Sequence, residues 1–389
     1  MRRVGSCVAI ALVAGALCPE PAQAKDLKNF VSDLFNGQGL VVNDLNESFE
    51  SFSPQEASGL LAGTQALVSA INSNITNSLN ATPFAGSMVS SGFNLETGLP
   101  ITAPQSLGPI FAERAETLGK GQLDFGISFS HATFTELNGK SLNHLNAIVV
   151  APAPQDDSVL FNINIGLQRD ILGLTGTYGI TPRWDVGIVV PIVHTSATAS
   201  ATATLTGGRD FRLDSFTATG TNVVTSHSGG DSTGLGDIAL RTKYNVIQDQ
   251  ASLPDLSVLG QVTAPTGSER DLLGTGSTDI LGELVLSKQL GIVAPHLNLG
   301  YEQAIGGLDQ NNLRYVIGAD VHITDKLTGA VDVIGRKNFG GVNTADFAIG
   351  ARWRPFSVGI LGAAFIVPIN KGEGLRPDYI WTVTANFAF

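Results

Sequence analysis

The segment Asp378-Tyr379-Ile380-Trp381-Thr382-Val383-Thr384-Ala385-Asn386-Phe387-Ala388-Phe389 decides the fold. Tyr379, Trp381, Val383, Phe387 and Phe389 share one parity, and Asp378, Thr382, Thr384 and Asn386 share the other. Successive side chains of a strand point to opposite faces, so this segment is oily on one side and wet on the other. A membrane-spanning barrel strand needs that arrangement, with lipid outside and a polar lumen inside. The final Phe389, with Phe387 two residues before it, resembles the signal that outer-membrane barrels present to the barrel assembly machinery.

The other end agrees. Arg2 and Arg3 precede an apolar run from Cys7 to Leu17, and Ala22-Gln23-Ala24 follows. A charged start, a short apolar stretch and small residues at a cleavage site describe a secretory leader over 1–24, with Lys25 as the expected mature start. The apolar run is shorter than the roughly 20 residues a membrane helix needs. Acylation at Cys18 is the competing reading, but Gly15-Ala16-Leu17 does not match the usual lipoprotein pattern. Cys7 and Cys18 are the chain's two cysteines. A chain processed after Ala24 therefore holds no thiol for disulfides, catalysis or metal binding.

Composition narrows the class further. No later run of apolar residues is long enough for a membrane helix. Mean hydropathy is still slightly positive at +0.17, and the 389 residues include 45 glycines with 15% charged residues. Net charge is −11, and loss of Arg2, Arg3 and Glu20 with the leader makes it −12. Nucleic acid, which wants a basic face, is excluded as a partner on that ground.

Period-two alternation begins near Gly121. Leu123, Phe125, Ile127 and Phe129 alternate with Asp124, Gly126 and Ser128, and Phe161, Ile163, Ile165 and Leu167 alternate with Asn162, Asn164, Gly166 and Gln168. Strands are expected at 121–136, 159–180, 183–205, 233–247, 254–266, 274–290, 292–306, 311–323, 326–339, 343–354, 357–369 and 377–389. The fold class is all-β: an antiparallel transmembrane β-barrel of about 12 strands (14 is the alternative), with a partly helical N-terminal segment. Connections alternate in length. Those at 137–158, 206–232, 267–273, 307–310, 340–342 and 370–376 lie on one rim. Tight turns such as Thr181-Pro182, Leu290-Gly291, Thr324-Asp325 and Pro355-Phe356 lie on the other, as in barrels with short periplasmic turns.

Residues 25–117 differ from 118–389 and hold the one clear helix. Ser53-Pro54-Gln55-Glu56 is a capping box with proline at the first helical position. Leu60, Leu61, Thr64, Leu67, Val68, Ile71 and Ile75 then form a mostly apolar stripe at helical spacing. Two placements stay open for this segment: a plug folded into the barrel mouth, or a periplasmic segment at or beyond the rim.

Alternation assigns a lumen face, and charges collect on it. The candidates are Asp237, Arg241, Lys243, Asp279, Glu283, His296, Glu302, Arg314, Asp320, Asp332, Arg336, Asp346 and Arg352, with His322 and Arg354 at the same parity. Opposite them stand Leu240, Tyr244, Leu284, Leu299, Tyr301, Ile317, Phe347, Ile349 and Trp353. A charge facing lipid costs roughly 2–4 kcal/mol at the midplane, so the sorting is forced. The mixed signs point to ion pairs across a narrow lumen. Pro191, Pro265 and Pro368 fall late in outward-running strands. Proline cannot donate to a ladder, so these are candidate lateral-opening positions, or strand ends that have left the bilayer.

Catalytic patterns are weak. Gly230-Asp231-Ser232-Thr233-Gly234 fits G-x-S-x-G but is placed in a loop before a strand, without the strand–turn–helix elbow. Gly274-Thr275-Gly276-Ser277 lacks the lysine of a phosphate loop. The six histidines are scattered. No catalytic residue, metal or cofactor is expected, and an outer-membrane hydrolase is a minor alternative.

Several motifs occur in order: Glu116-Thr117-Leu118-Gly119-Lys120-Gly121-Gln122, Glu136-Leu137-Asn138-Gly139-Lys140-Ser141-Leu142, Trp184-Asp185-Val186-Gly187, Val190-Pro191-Ile192, Gly234-Leu235-Gly236-Asp237-Ile238, Pro265-Thr266-Gly267, Gly274-Thr275-Gly276-Ser277 and Pro295-His296-Leu297-Asn298-Leu299-Gly300-Tyr301. Over 116–389 the chain resembles a family of outer-membrane transporters labelled for the meta-pathway of phenol degradation. The resemblance implies an outer-membrane location, with outer-membrane lipid and a small apolar solute as partners, and passage of hydrophobic or aromatic compounds. A structural or adhesive surface barrel without transport is the alternative from another class.

Overall fold

The computed structural model of the chain describes residues 26–34, 42–43, 54–79, 106–150, 158–206, 212–213, 217–218, 223–248, 250, 252–306, 311–339, 341–356 and 359–389. The expected leader and the capping serine, Ser53, lie outside these residues.

Among the described residues, twelve strands form the wall. They are β1 (Leu123–Leu137), β2 (Ser158–Thr181), β3 (Trp184–Thr206), β4 (Val223–Leu235 continued by Ile238–Ile247), β5 (Asp255–Ala264), β6 (Thr278–Ser287), β7 (Val293–Ile305), β8 (Asn312–Thr324), β9 (Leu327–Asn338), β10 (Asn343–Phe356), β11 (Gly359–Pro368) and β12 (Leu375–Ala388). Each pairs antiparallel with the next, and β12 pairs with β1. Phe389 completes the closure: its N–H donates to the Leu123 carbonyl at 2.7 Å, and the Leu123 N–H donates to its carbonyl at 2.9 Å. A closed ladder leaves no sheet edge to desolvate, which is why a β-structure can stand in lipid at all. No helix among the described residues is long and apolar enough to cross a membrane.

The two faces follow the sequence parity. Leu240, Tyr244, Ile317, Ile349 and Trp353 are exposed on the outside, together with Leu299, Tyr301 and Trp381. A continuous apolar belt of this size on a folded surface marks a lipid contact. Tyr379 stacks on Phe365 with ring centroids 5.0 Å apart, and Trp381 lies 5.4 Å from Phe129.

β2 and β3 run far beyond their neighbours and change character there. Val159, Phe161, Ile163, Ile165 and Leu167 turn inward and are buried, opposite Ala197, Ala199, Ala201 and Ala203. The alanines leave room for two helices, α1 (Phe30–Asp33) and α2 (Pro54–Leu79). Leu27, Phe30, Val31 and Leu34 join Val68, Ile71, Ile75 and Leu79 in one core with this hairpin. Thr64 is buried on the same stripe of α2. The helices thus sit at the long-loop rim. A short strand, Leu145–Val150, adds to the outer part of β2, and its Val149 packs where a side chain at Gly63 would go.

The strand positions match the alternation within a few residues, with one notable extension. Val223–Leu235 is a strand paired with the top of β3, where a loop over 206–232 is expected. Its Ser226-His227-Ser228-Gly229-Gly230-Asp231 stretch has no apolar parity, because it rises above the belt and needs none. The G-x-S-x-G match therefore lies on a strand.

Candidate functional site

An extended stretch, Ser106–Leu118, crosses the lumen at the level of the short turns. A buried backbone must find partners for every N–H and C=O, and the wall supplies them from one strand after another. The Leu118 N–H donates to Asp185 Oδ2 at 2.9 Å, and the Ala115 N–H to Ser287 Oγ at 3.1 Å. Asn245 Nδ2 donates to the Ala115 carbonyl at 2.7 Å, and Ser257 Oγ donates to the same oxygen. Asn298 clamps Glu113 from both sides, accepting from its N–H at 3.0 Å and donating to its carbonyl at 3.2 Å. The Leu107 N–H donates to Thr328 Oγ1 at 2.8 Å, and its carbonyl accepts from Arg352 Nη1 at 3.0 Å.

The charged residues of the stretch meet lumen charges. Arg114 Nη2 donates to Asp320 Oδ2 at 2.5 Å, and Ser106 Oγ donates to the same oxygen. Glu113 lies 3.4 Å from Arg241 and 3.8 Å from Lys243, whose Nζ also donates to the Arg114 carbonyl at 3.1 Å. His296 bridges two carboxylates, with Nε2 2.6 Å from Asp332 and Nδ1 3.5 Å from Asp320. Replacing Asn298 with alanine strands both polar groups of Glu113. We expect a loss of about 1–3 kcal/mol per stranded group, read as a lower denaturant midpoint for the full chain.

Above this stretch a cavity of about 230 Å³ opens in mid-lumen. Its apolar lining comes from Leu79, Phe111, Ile171, Val189, Pro191, Val193, Leu273, Val316 and Ile334. Its charged lining comes from Arg169, Asp237, Arg241, Asp279, Glu302, Arg314 and Arg336, interleaved with the apolar residues along the same strands. Glu302 holds Arg336 at 2.9 Å and Arg314 at 3.5 Å. A smaller space of about 80 Å³ next to it is lined by Glu283, Asn298 and Tyr315.

All thirteen lumen candidates therefore turn inward, into three groups. Lys243, His296, Asp320, Asp332 and Arg352 surround the threaded stretch. Asp237, Arg241, Asp279, Glu283, Glu302, Arg314 and Arg336 line the two cavities. Asp346 pairs with Arg376 near the loop rim. Asp378, read with the polar face of β12, is instead exposed beside Lys371. Sequence reasoning missed Arg169, Arg376 and the stretch itself. Glu113-Arg114, closing an uncharged run over 97–112, was the available signal, since two adjacent opposite charges there require opposite partners.

The wall is irregular beside the cavity. β4 pairs with β5 up to Ile238–Ala264, and above that point with β3 alone until Thr217–Ala218 meets Thr225 and Val224. At the break, β4 carries one residue more than β3 between the pairs Val189–Ala239 and Ile192–Leu235, a bulge at Gly236-Asp237. The Gly236 N–H donates to the Pro191 carbonyl at 2.8 Å. Thr266 Oγ1 donates to the Gly236 carbonyl at 2.7 Å and accepts from the Ile238 N–H at 3.0 Å, filling in for a missing strand. Asp237 accepts from the N–H groups of Gly267 and Thr275 at 2.9 and 2.6 Å, and from Thr275 Oγ1 at 2.9 Å. Gly274 has no room for a side chain, because a Cβ would stand 2.4 Å from Asp237 Oδ1 and 2.8 Å from Gly267 Cα. Residues 265–277 thus fold inward over the seam, burying Leu272 and Leu273.

The prolines divide accordingly. Pro191 and Pro265 flank this seam, Pro265 directly after the last β5 residue. Pro368 ends β11 opposite Asp346, and the ladder to β10 resumes at Ile369, whose N–H donates to the Ala345 carbonyl at 2.8 Å.

Fold and lumen together define a transmembrane β-barrel of the outer-membrane type, obstructed by its own chain. The family model described as "Putative MetA-pathway of phenol degradation" matches residues 157–368, and the chain belongs to that family. It is similar to the COG4313 outer membrane channel from Pseudomonas putida F1, at 16% identity and a TM-score of 0.46, covering 71% of this chain and 98% of that one. It is also similar to the toluene transporter TbuX of Ralstonia pickettii, at 13% identity and a TM-score of 0.39, covering 70% of this chain and 90% of that one. The monoaromatic hydrocarbon channel CymD matches at 9% identity and a TM-score of 0.35, covering 70% and 89%.

Proposed function

We propose that this barrel stands in a bacterial outer membrane, short turns toward the periplasm, and passes small apolar or aromatic molecules through its wall into the membrane. The observation that carries this reading is the position of the half-apolar cavity. Ser106–Leu118 blocks the way below it, while the β4–β5 seam at Gly236-Asp237 lies beside it, with Pro191 and Asp237 common to both. A water-filled pore would use the whole lumen. A solute that prefers lipid gains from leaving sideways, where each buried CH₂ is worth about 0.8 kcal/mol. In this reading residues 25–117 are a plug: the helices cover the outer mouth, and the threaded stretch closes the periplasmic half.

Uptake of radiolabelled toluene by a Gram-negative host is the test. Cells displaying the folded barrel are expected to take up toluene severalfold faster at first than cells without it, with no gain for a sugar of similar size. Equal toluene uptake, with the barrel shown to be in the outer membrane, would contradict the reading.

A further inference from the structure

One arginine of the cavity makes no ion pair at contact distance. Arg169, on β2, is 6% exposed and lines the cavity together with Leu79, Ile171 and Val193. Its Nη1 donates to the Leu272 carbonyl at 3.1 Å. Its Nε is buried without a hydrogen-bond partner. Among the described residues no carboxylate lies within ion-pair distance of it. The cavity's other arginines all have one: Arg241 has Glu113, and Arg314 and Arg336 share Glu302. Asp237, in the same cavity, acts on Arg169 only from beyond contact distance, its oxygens being engaged by three donors from Gly267 and Thr275.

A guanidinium cannot shed its proton to escape burial, and a buried charge whose donors lack contacting acceptors is expensive. Such a charge facing a lumen is a marker of function. The guanidinium edge also fits a carboxylate, which it can grip through two parallel hydrogen bonds. Beside it the wall is apolar, and the space is larger than the roughly 150 Å³ cavity known to hold a benzene ring.

We propose that the cavity is a binding site for a one-ring aromatic carboxylate, with Arg169 gripping the carboxylate and the Ile171, Val193 and Leu79 side receiving the ring. This rests on the transport reading above and names, among the molecules it admits, the preferred ones: those that carry one acidic group on an apolar body. Such acids, with pKa values of about 4, are anionic at neutral pH. A site with a fixed cation then selects them over the neutral aromatics that the apolar wall alone would admit.

Benzoate and its neutral isostere benzyl alcohol are the probes, titrated calorimetrically into the purified full chain in detergent. The wild type is expected to bind benzoate at least tenfold more tightly than benzyl alcohol. Arg169→Gln is expected to lose that preference while retaining benzyl alcohol. Arg169→Lys, which keeps the charge but not the fork, is expected to retain part of it. Heat-modifiable migration on gels confirms that each variant is folded. Equal affinity for the two probes in the wild type, or an unchanged ratio in Arg169→Gln, overturns the proposal. So does benzoate binding that appears in Glu96→Gln and is absent from the wild type. Glu96 is the one ionisable side chain in 80–105, and that result would make the chain's own carboxylate the partner. If toluene uptake is positive but benzoate shows no preference, only this proposal falls. If neither probe binds and toluene uptake is absent, the transport reading falls with it.

Discussion

Removing residues 25–117 from the mature chain is expected to turn a closed barrel into a conducting one. Ser106–Leu118 is hydrogen-bonded, through its backbone and at β8 through its side chains, to side chains from β3 through β10, so it occupies the short-turn half of the lumen from wall to wall. Without it, Asn298, Asn245, Lys243 and Arg352 would face water, which satisfies them at little cost. The wall's own ladder of backbone hydrogen bonds runs between the strands and not through this stretch, so the barrel survives the truncation. In planar bilayers we expect ion conductance to rise at least tenfold over the full chain. A truncated barrel that is folded and still silent would show that something other than this stretch closes the lumen.

A point change should produce a milder form of the same effect. Asp320 accepts from Ser106 and Arg114 and faces His296 at 3.5 Å. Its side chain is wholly buried, and that of Arg114 is nearly so. Asp320→Ala leaves the Arg114 guanidinium without its carboxylate, and breaking a buried pair from one side costs about 3–5 kcal/mol. The threaded stretch should detach first, because its hold on the wall is by side chains, whereas the strands hold one another by continuous ladders. Flickering conductance and proteolysis near Arg114 are the expected signs, in a barrel that still migrates as folded. Arg114→Ala combined with Asp320→Ala should cost less than the two changes added together, since the double variant strands no charge.

The wall was legible in the sequence because lipid enforces alternation. Leu240, Tyr244, Ile349 and Trp353 must face out, and Asp237, Lys243, Asp332 and Arg352 must face in. Those constraints alone recover the twelve strands and the inward parity. They lapse where lipid ends. Val223–Leu235 has no apolar parity and reads as a loop, yet the top of β3 pairs with it throughout. Phe161, Ile163 and Ile165 alternate as if facing lipid, but they turn inward onto helices that local sequence could not place. The threaded stretch was hidden for another reason. Its partners, Asn298, Ser287 and Asn245, are ordinary polar lumen residues whose task appears only once the chain is seen between them. The seam lay between these extremes: Pro191 and Pro265 were visible singly, and their meeting at Gly236 was set by register.

For a solute to pass through the wall, the inward-folded loop would have to move. Thr275 Oγ1 and Asp237 Oδ2 are 2.9 Å apart across the seam. With no cysteine after Cys18, the pair Asp237→Cys and Thr275→Cys can be bridged selectively by a short bifunctional methanethiosulfonate and released by reductant. Toluene uptake by cells carrying this variant is the decisive measurement, compared before bridging, after bridging and after reduction. Bridging is expected to cut uptake at least tenfold, and reduction to restore it. Uptake that is the same in the bridged and reduced states would contradict passage through the β4–β5 seam.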